Sequence, residues 1–212
     1  MIMKVLLVNG SPNKEGCTYV ALSEVAKTLN SEGIETEIFH IGQKPIAGCL
    51  GCGKCGTLGR CVFNDAVNEC LEKLDQFDGF VFGSPVYYAS ANGALSAFMD
   101  RLFIAESRTG KNAFYLKPAA AVVSARRGGT TTALDQLNKY FTISQMPVVS
   151  SQYWNMVHGN TPDEVRQDAE GLQTMRTLAR NMAYLLKCKE AGAKMGVATP
   201  EREKVVRTNF IR

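Results

Sequence analysis

Apolar residues recur along this chain with two alternating periods. Residues 5–8 (VLLV) are uninterruptedly apolar and end at Asn-Gly, the pattern of a strand buried on both faces. From Thr18 the period lengthens: Leu22, Val25, Ala26 and Leu29 follow i, i+3, i+4, i+7, which predicts a helix with one buried face. ETEIFHI (35–41) alternates as a strand, and 66–74 predicts a short helix. GFVFGSP (79–85) and PAAAVVSA (118–125) are two further buried strands, each followed by a helical pattern, at 94–103 and 132–141. MPVVSSQYW (146–154) predicts the last strand, and Leu172, Met175, Ala179, Met182 and Leu186 space out a long amphipathic helix.

Strand alternating with helix implies an α/β fold: a doubly wound, five-stranded parallel sheet joined by right-handed crossovers. The 212 residues suit one domain. It is expected over 1–191, with a cysteine-rich loop (47–63) inserted after the second strand and a polar, basic tail over 192–212 that reaches toward a neighbouring subunit. A net charge of +4 without a Lys/Arg run points to no nucleic-acid or membrane partner. The amino-terminal apolar stretch is too short for a signal peptide and no run approaches a membrane span, so a cytoplasmic location is expected. There, clustered thiols more often bind metal or do redox work than form disulfides.

Ligands of such sheets bind beyond the carboxyl ends of the strands, at the switch in strand order. Three loops meet that description. The first, NGSPNKEGCTY, lacks both the P-loop and the dinucleotide fingerprints. It presents Ser11, Asn13 and Thr18 just before a helix, where hydroxyls and free N–H groups suit a phosphate dianion, or where Ser/Thr simply caps a turn. The second, GSPVYYASANG, offers small residues and two tyrosines, a surface for a planar heteroaromatic ring or a cap over the core edge. The third, SARRGGTT, has a Gly pair that lets backbone approach closely and two arginines, which either face a phosphate or cosubstrate or belong to a surface loop.

NGSPNKEGCT, GSPVYYASANGALSAFMDRLF, SARRGGTT and YWN together resemble the flavodoxin-like NAD(P)H-dependent FMN reductases, and within them the iron–sulfur flavoprotein branch. The resemblance covers nearly the whole chain. It implies strand order 2-1-3-4-5 with FMN at the switch point. It also implies an FMN-dependent oxidoreductase that reduces flavin, quinone or a similar acceptor with NAD(P)H as cosubstrate. An alternative is an electron carrier exchanging single electrons with a ferredoxin-like partner, and a third reading is a colourless thiol or metal sensor. By resemblance, Ser11, Asn13, Cys17 and Thr18 surround the FMN phosphate; the family often has Arg in place of Asn13 and Asn in place of Cys17. Ser84, Pro85, Val86, Tyr87 and Tyr88 run along the ring and ribityl chain, and Ser124, Ala125, Arg126, Gly128 and Gly129 close the other edge. Asp100 and Arg101 read as a structural ion pair at a helix end. Trp154 either lines the site in a homodimer or homotetramer or packs in the core. His40 and His158 belong to no recognisable triad.

Cys49, Cys52, Cys55 and Cys61 form C-x2-C-x2-C-x5-C, four of the seven cysteines in thirteen residues. Thiolates at this spacing, with glycines between them, can wrap one [4Fe–4S] cluster, and the iron–sulfur flavoproteins carry a compact motif in the same place. Reduced free thiols, zinc and a disulfide remain open at this point. Lys54 and Arg60 are the charges expected to favour thiolates. Cys17, Cys70 and Cys188 stand outside the motif.

Overall fold

The computed structural model describes residues 2–208 and 210. The end of the expected tail, at Asn209, Ile211 and Arg212, lies outside the described residues, as does Met1. In chain order the elements are β1 (Lys4–Asn9), α1 (Cys17–Ser31), β2 (Glu35–His40), α2 (Cys55–Leu58), α3 (Ala66–Leu71), a 3-10 turn (Leu74–Gln76) and β3 (Gly79–Tyr87). They continue with β4 (Ser90–Ala91), α4 (Gly93–Thr109), β5 (Ala119–Ala125), α5 (Thr130–Ile143), β6 (Met156–His158), α6 (Pro162–Gln167) and α7 (Ala169–Lys194).

The sheet runs β2-β1-β3-β5-β6, all pairs parallel; β4 is an antiparallel appendage of β3. Counting the parallel strands alone, this is the expected order 2-1-3-4-5. Alternate strand residues feed two separate cores, as the period of two in an extended chain requires. Leu6, Val8, Phe80, Phe82, Ala119, Ala121 and Val123 face α3, α4 and α5. Val5, Leu7, Val81, Ala120, Val122 and Val157 face α1 and α7. The apolar stripe of α1 (Val20, Leu22, Val25, Leu29) is buried in that second core. Each such side chain contributes about 1.5–3 kcal/mol relative to exposure.

Two expectations are corrected. The last strand lies at Met156–His158, beyond the 146–154 segment read from the sequence. Val148 makes only an isolated bridge to Ala119. The chain then leaves the ladder: Ser151 Oγ donates to the Tyr153 carbonyl and lies 2.7 Å from Asn155 Oδ1, closing a polar loop. The Asn155 carbonyl then accepts from Val123 N–H, and the ladder resumes. Local Ser and Asn hydrogen bonds outcompete strand pairing here. Consequently Tyr153 and Trp154 stand in solvent, edge to face at 4.9 Å, so Trp154 is not a core residue. The second correction concerns Asp100 and Arg101, which do not pair. Asp100 accepts from Tyr140 Oη, whereas Arg101, on a different face of α4, binds Asp65.

The described part of the tail folds back on its own chain. Tyr115 Oη donates to the Pro200 carbonyl, and Arg202 donates to Asn112 and Gln145 while lying 5.4 Å over the Tyr115 ring. Among the described residues no helix is long and apolar enough to cross a membrane.

Candidate functional site

The loop after β1 is held from both sides. Asn9 Oδ1 accepts from Ser11 N–H and Asn9 Nδ2 donates to the Lys14 carbonyl. His40, at the end of neighbouring β2, donates from Nε2 to the Ser11 carbonyl at 2.8 Å. Ser11 Oγ accepts from Asn13 N–H, and Ser11 is almost wholly buried. Asn9 and His40 were missed by sequence reasoning: they are polar residues at strand ends, and only strand pairing brings His40 over the loop. The helix that follows, α1, begins at Gly16 with no side-chain cap and no acidic residue in its first turn. Its leading N–H groups and their partial positive charge are therefore available to an anion.

Of the four predicted phosphate contacts, Ser11 keeps a hydroxyl hydrogen to donate while accepting from Asn13 N–H, and two further side chains are engaged elsewhere. Thr18 Oγ1 and Ser124 Oγ hydrogen-bond each other at 2.8 Å, tying the first loop to the third. The Cys17 thiol points to the Gly159 carbonyl at 3.7 Å, and burial pushes its pKa up. Ser11, Asn13 and the backbone N–H groups of the α1 terminus remain for the anion.

Gly83 explains how α1 comes so close to β3. A Cβ there would meet Leu22 Cδ1 and Thr18 Cγ2, each at 2.8 Å, and the Gly83 carbonyl accepts from Gly10 N–H. Immediately beyond, Ser84 is fully buried; its hydroxyl donates to the Pro85 carbonyl and accepts from Asn92 N–H, shaping the second loop. Tyr87 pairs with Ser90 across a two-residue hairpin whose tip, Tyr88 and Ala89, has φ of 51° and 58°. Left-handed geometry at two side-chain-bearing residues costs of order 1 kcal/mol or more each and marks functional loops more often than structural ones. The tip rests on the third loop: a Cβ on Gly129, itself at φ 89°, would strike Ala89 Cα at 2.6 Å. Tyr88 projects wholly into solvent and Tyr87 is half exposed, so the two tyrosines do not cap the core. Ser124 and Ala125 end β5, Arg126, Arg127 and Gly128 follow, and Gly129 starts α5. The three loops thus converge at the carboxyl ends of β1, β3 and β5.

A second concavity lies nearby. Thr130, Thr131, Tyr153, Trp154, His158 and Asp168 line it, in a volume of about 370 Å³. His158 enters through its backbone N–H, which donates to Asp168 Oδ2.

The four motif cysteines line one wall of a separate cleft of about 720 Å³. Its opposite wall comes from the middle and carboxyl half of α4 and the end of α5, well away from the α4 amino terminus that adjoins the second loop. Gly51, Gly53 and Gly59 all take positive φ, which lets the loop turn repeatedly. Cys49 and Cys52 are exposed, Cys61 is half-buried and Cys55 buried. Among the described residues, no three Cys, His, Asp or Glu side chains stand close enough to hold a metal ion. The all-thiolate donor set nonetheless suits a [4Fe–4S] centre in its chemistry, and the cleft suits an anion: Arg101, Arg108, Arg202 and Arg207 line it. The cation that touches a motif sulfur is Arg101, with Nε and Nη2 at 3.3 and 3.2 Å from Cys61 Sγ. The sequence had pointed instead to Lys54 and Arg60. Glu106 shares the cleft; its Oε1 is buried without a partner among the described residues, and burial holds its carboxyl above the usual range.

Residues 3–161 match the NADPH-dependent FMN reductase family. An iron-sulfur flavoprotein of Methanocaldococcus jannaschii is 34% identical over 194 residues, 87% of this chain and 98% of that one. One from Methanosarcina thermophila is 28% identical over 187 residues, 87% and 95% of the two chains. Among solved structures, RosB with a bound riboflavin-phosphate intermediate superposes with a TM-score of 0.71 at 16% identity, over 99% of this chain and 92% of that one. A WrbA-like flavodoxin from Agrobacterium tumefaciens gives 0.61 at 15% identity, over 89% and 99%. At such identities the structures establish the flavodoxin-like fold alone, while the sequence match over three quarters of the chain establishes descent. The chain belongs to the NADPH-dependent FMN reductase family.

Proposed function

We propose that this chain binds FMN in the three-loop site and works as an oxidoreductase there, taking hydride from NADH or NADPH and reducing a flavin, quinone or similar acceptor. The observation that carries the reading is the uncapped start of α1 beside a pinned, buried Ser11, at the strand ends where the other two loops converge. When bound, FMN supplies the hydride-accepting chemistry, and the protein orients and insulates it. In this reading Ser11, Asn13 and the N–H groups leading α1 hold the phosphate. Residues 84–88 line the ring and ribityl chain, and residues 124–129 close its other edge.

A second reading is favoured by the cysteine cleft. Four thiols on one wall, facing arginines, support a [4Fe–4S] cluster held by Cys49, Cys52, Cys55 and Cys61, and electron exchange with a ferredoxin-like protein. The names of the iron-sulfur flavoprotein relatives support the same assignment. We place the protein in the cytoplasm as a homodimer or homotetramer, for which exposed Tyr88, Tyr153 and Trp154 near the site offer contact surface.

The test is a visible spectrum of protein purified without oxygen, with iron and acid-labile sulfide assayed on the same sample and NAD(P)H oxidation followed in parallel. Flavin bands with turnover support the reductase. Flavin plus about four irons per chain and negligible turnover favours the electron carrier. A colourless protein that takes up no FMN refutes both.

A further inference from the structure

Arg101 is the largest fully buried side chain of the described residues, 1% exposed, and it sits mid-helix on α4. Its guanidinium binds Asp65 through two N–H groups, Nη1 to Oδ2 at 2.6 Å and Nη2 to Oδ1 at 2.9 Å. Nη1 also reaches the Ala47 carbonyl at 3.4 Å, and the Phe63 ring lies 4.7 Å from the guanidinium carbon. One side chain therefore fastens both ends of the cysteine loop. The fork with Asp65 already compensates the buried charge. Yet Nε–H and Nη2–H are both aimed at Cys61 Sγ. A neutral thiol is a weak acceptor and a poor use of two buried cationic donors; a metal-bound, anionic sulfur is a strong one.

The backbone of Cys61 is held as firmly. Asn68, almost wholly buried on α3, accepts from Cys61 N–H at 2.9 Å and donates to the Cys61 and Phe63 carbonyls at 3.0 and 2.8 Å. Among the described residues Cys49 and Cys52 receive nothing comparable: Gly51 N–H donates to Cys49 Sγ at 3.5 Å. Among the described residues the other arginines of the cleft make no hydrogen bond to a motif sulfur.

We propose that Arg101 is a positioning residue for the cysteine site: with Asn68 it presets Cys61 as the fixed ligand onto which Cys49, Cys52 and Cys55 close, and its N–H···S bonds raise the reduction potential of the bound cluster. This rests on the reading that the four thiols hold a cluster. Cationic hydrogen bonds to a ligating sulfur stabilise the more negative, reduced state, so their loss lowers the potential. Outer-shell partners of this kind typically govern ten- to a hundredfold in metal retention.

The experiment uses full-length protein, purified and reconstituted without oxygen, as wild type, Arg101→Lys, Cys61→Ser and Cys49→Ser. Arg101→Lys keeps the charge and removes the fork, which separates hydrogen bonding from electrostatics. FMN content reports folding independently of the cluster. With FMN retained, Arg101→Lys is expected to lose iron to a chelator roughly tenfold faster or more, at a potential more negative than wild type. Wild-type potential and retention in that variant overturn the proposal. Should Arg101→Lys fail to fold, the cysteine pair decides: Cys61→Ser is expected to lose iron far faster than Cys49→Ser, and equal losses overturn it. Wild type that binds FMN but no iron or sulfide overturns the cluster reading itself, and the proposal with it.

Discussion

Replacing Gly83 with alanine tests whether the site owes its shape to the close approach of α1 to β3. The added methyl would stand 2.8 Å from Thr18 Cγ2, 2.8 Å from Leu22 Cδ1 and 3.0 Å from Leu22 Cγ. Cδ1 can swing aside, but Cγ cannot without moving the whole side chain. Thr18 is β-branched and its hydroxyl is committed to Ser124, so its methyl cannot rotate away without breaking that bond. The first turn of α1 must therefore lift, at the overpacking cost of about 1–3 kcal/mol. With a urea m-value of about 2 kcal/mol/M, the unfolding midpoint should fall by roughly 0.5–1.5 M. FMN affinity, read from quenching of flavin fluorescence, should fall as well, because the lifted turn carries the N–H groups assigned to the phosphate. The cycle is completed by Thr18→Ser, which deletes the clashing methyl and keeps the hydroxyl, at about 1 kcal/mol on its own. The double variant should be more stable than the sum of the two losses by at least about 0.5 kcal/mol. Simple additivity, or a Gly83→Ala protein as stable as wild type, would refute the reasoning.

Four further outcomes are expected. The Cys70 thiol is wholly buried, and burial pushes its pKa up from 9.0 to about 12. Its folded value is raised, so its contribution is complete below pH 9 and is lost as pH rises toward 12. In chemical denaturation at stepped pH, the stability advantage of wild type over Cys70→Val should shrink by about 1.4 kcal/mol per unit above pH 9, and a difference independent of pH would count against the burial argument. Native protein alkylated at pH 8 and analysed by mass spectrometry should be modified at exposed Cys188 and spared at Cys70. Asn68→Ala removes the hydrogen-bond partner of the half-buried Cys61 and Phe63 backbone groups, each bond worth about 0.5–1.5 kcal/mol, and should cost stability measurably in urea, whereas an unchanged midpoint would show that the loop is held otherwise. Gly129→Ala forces a side chain into left-handed geometry and onto the Ala89 backbone, so it should weaken FMN binding with little change in the β1 loop; unchanged flavin affinity would disconnect the third loop from the site.

What the chain determines locally, it states in its own pattern. Continuous apolar runs at 5–8, 79–85 and 118–125 read as strands buried on both faces, and the helical stripes between them imply a doubly wound sheet; the strand order itself came with the family resemblance and not from that alternation. Gly and Ser placed directly after those strands marked the three loops. The edge strand escaped because MPVVSSQYW has strand composition but Ser151 and Asn155 satisfy its backbone locally, a competition settled only by which partner Val123 and Ala119 receive. Asp100 and Arg101 misled for a related reason: adjacent on a helix, their side chains diverge by about 100°, so neighbours in sequence face different partners. Whether Arg101 meets Asp65 and Cys61, and whether His40 closes over Ser11, depends on residues separated by 36, 40 and 29 positions. Such pairings carry no period and no motif. They arise when two cores pack on one sheet, and that packing is what turned a string of four cysteines into one wall of a cleft with a buried guanidinium against Cys61 Sγ.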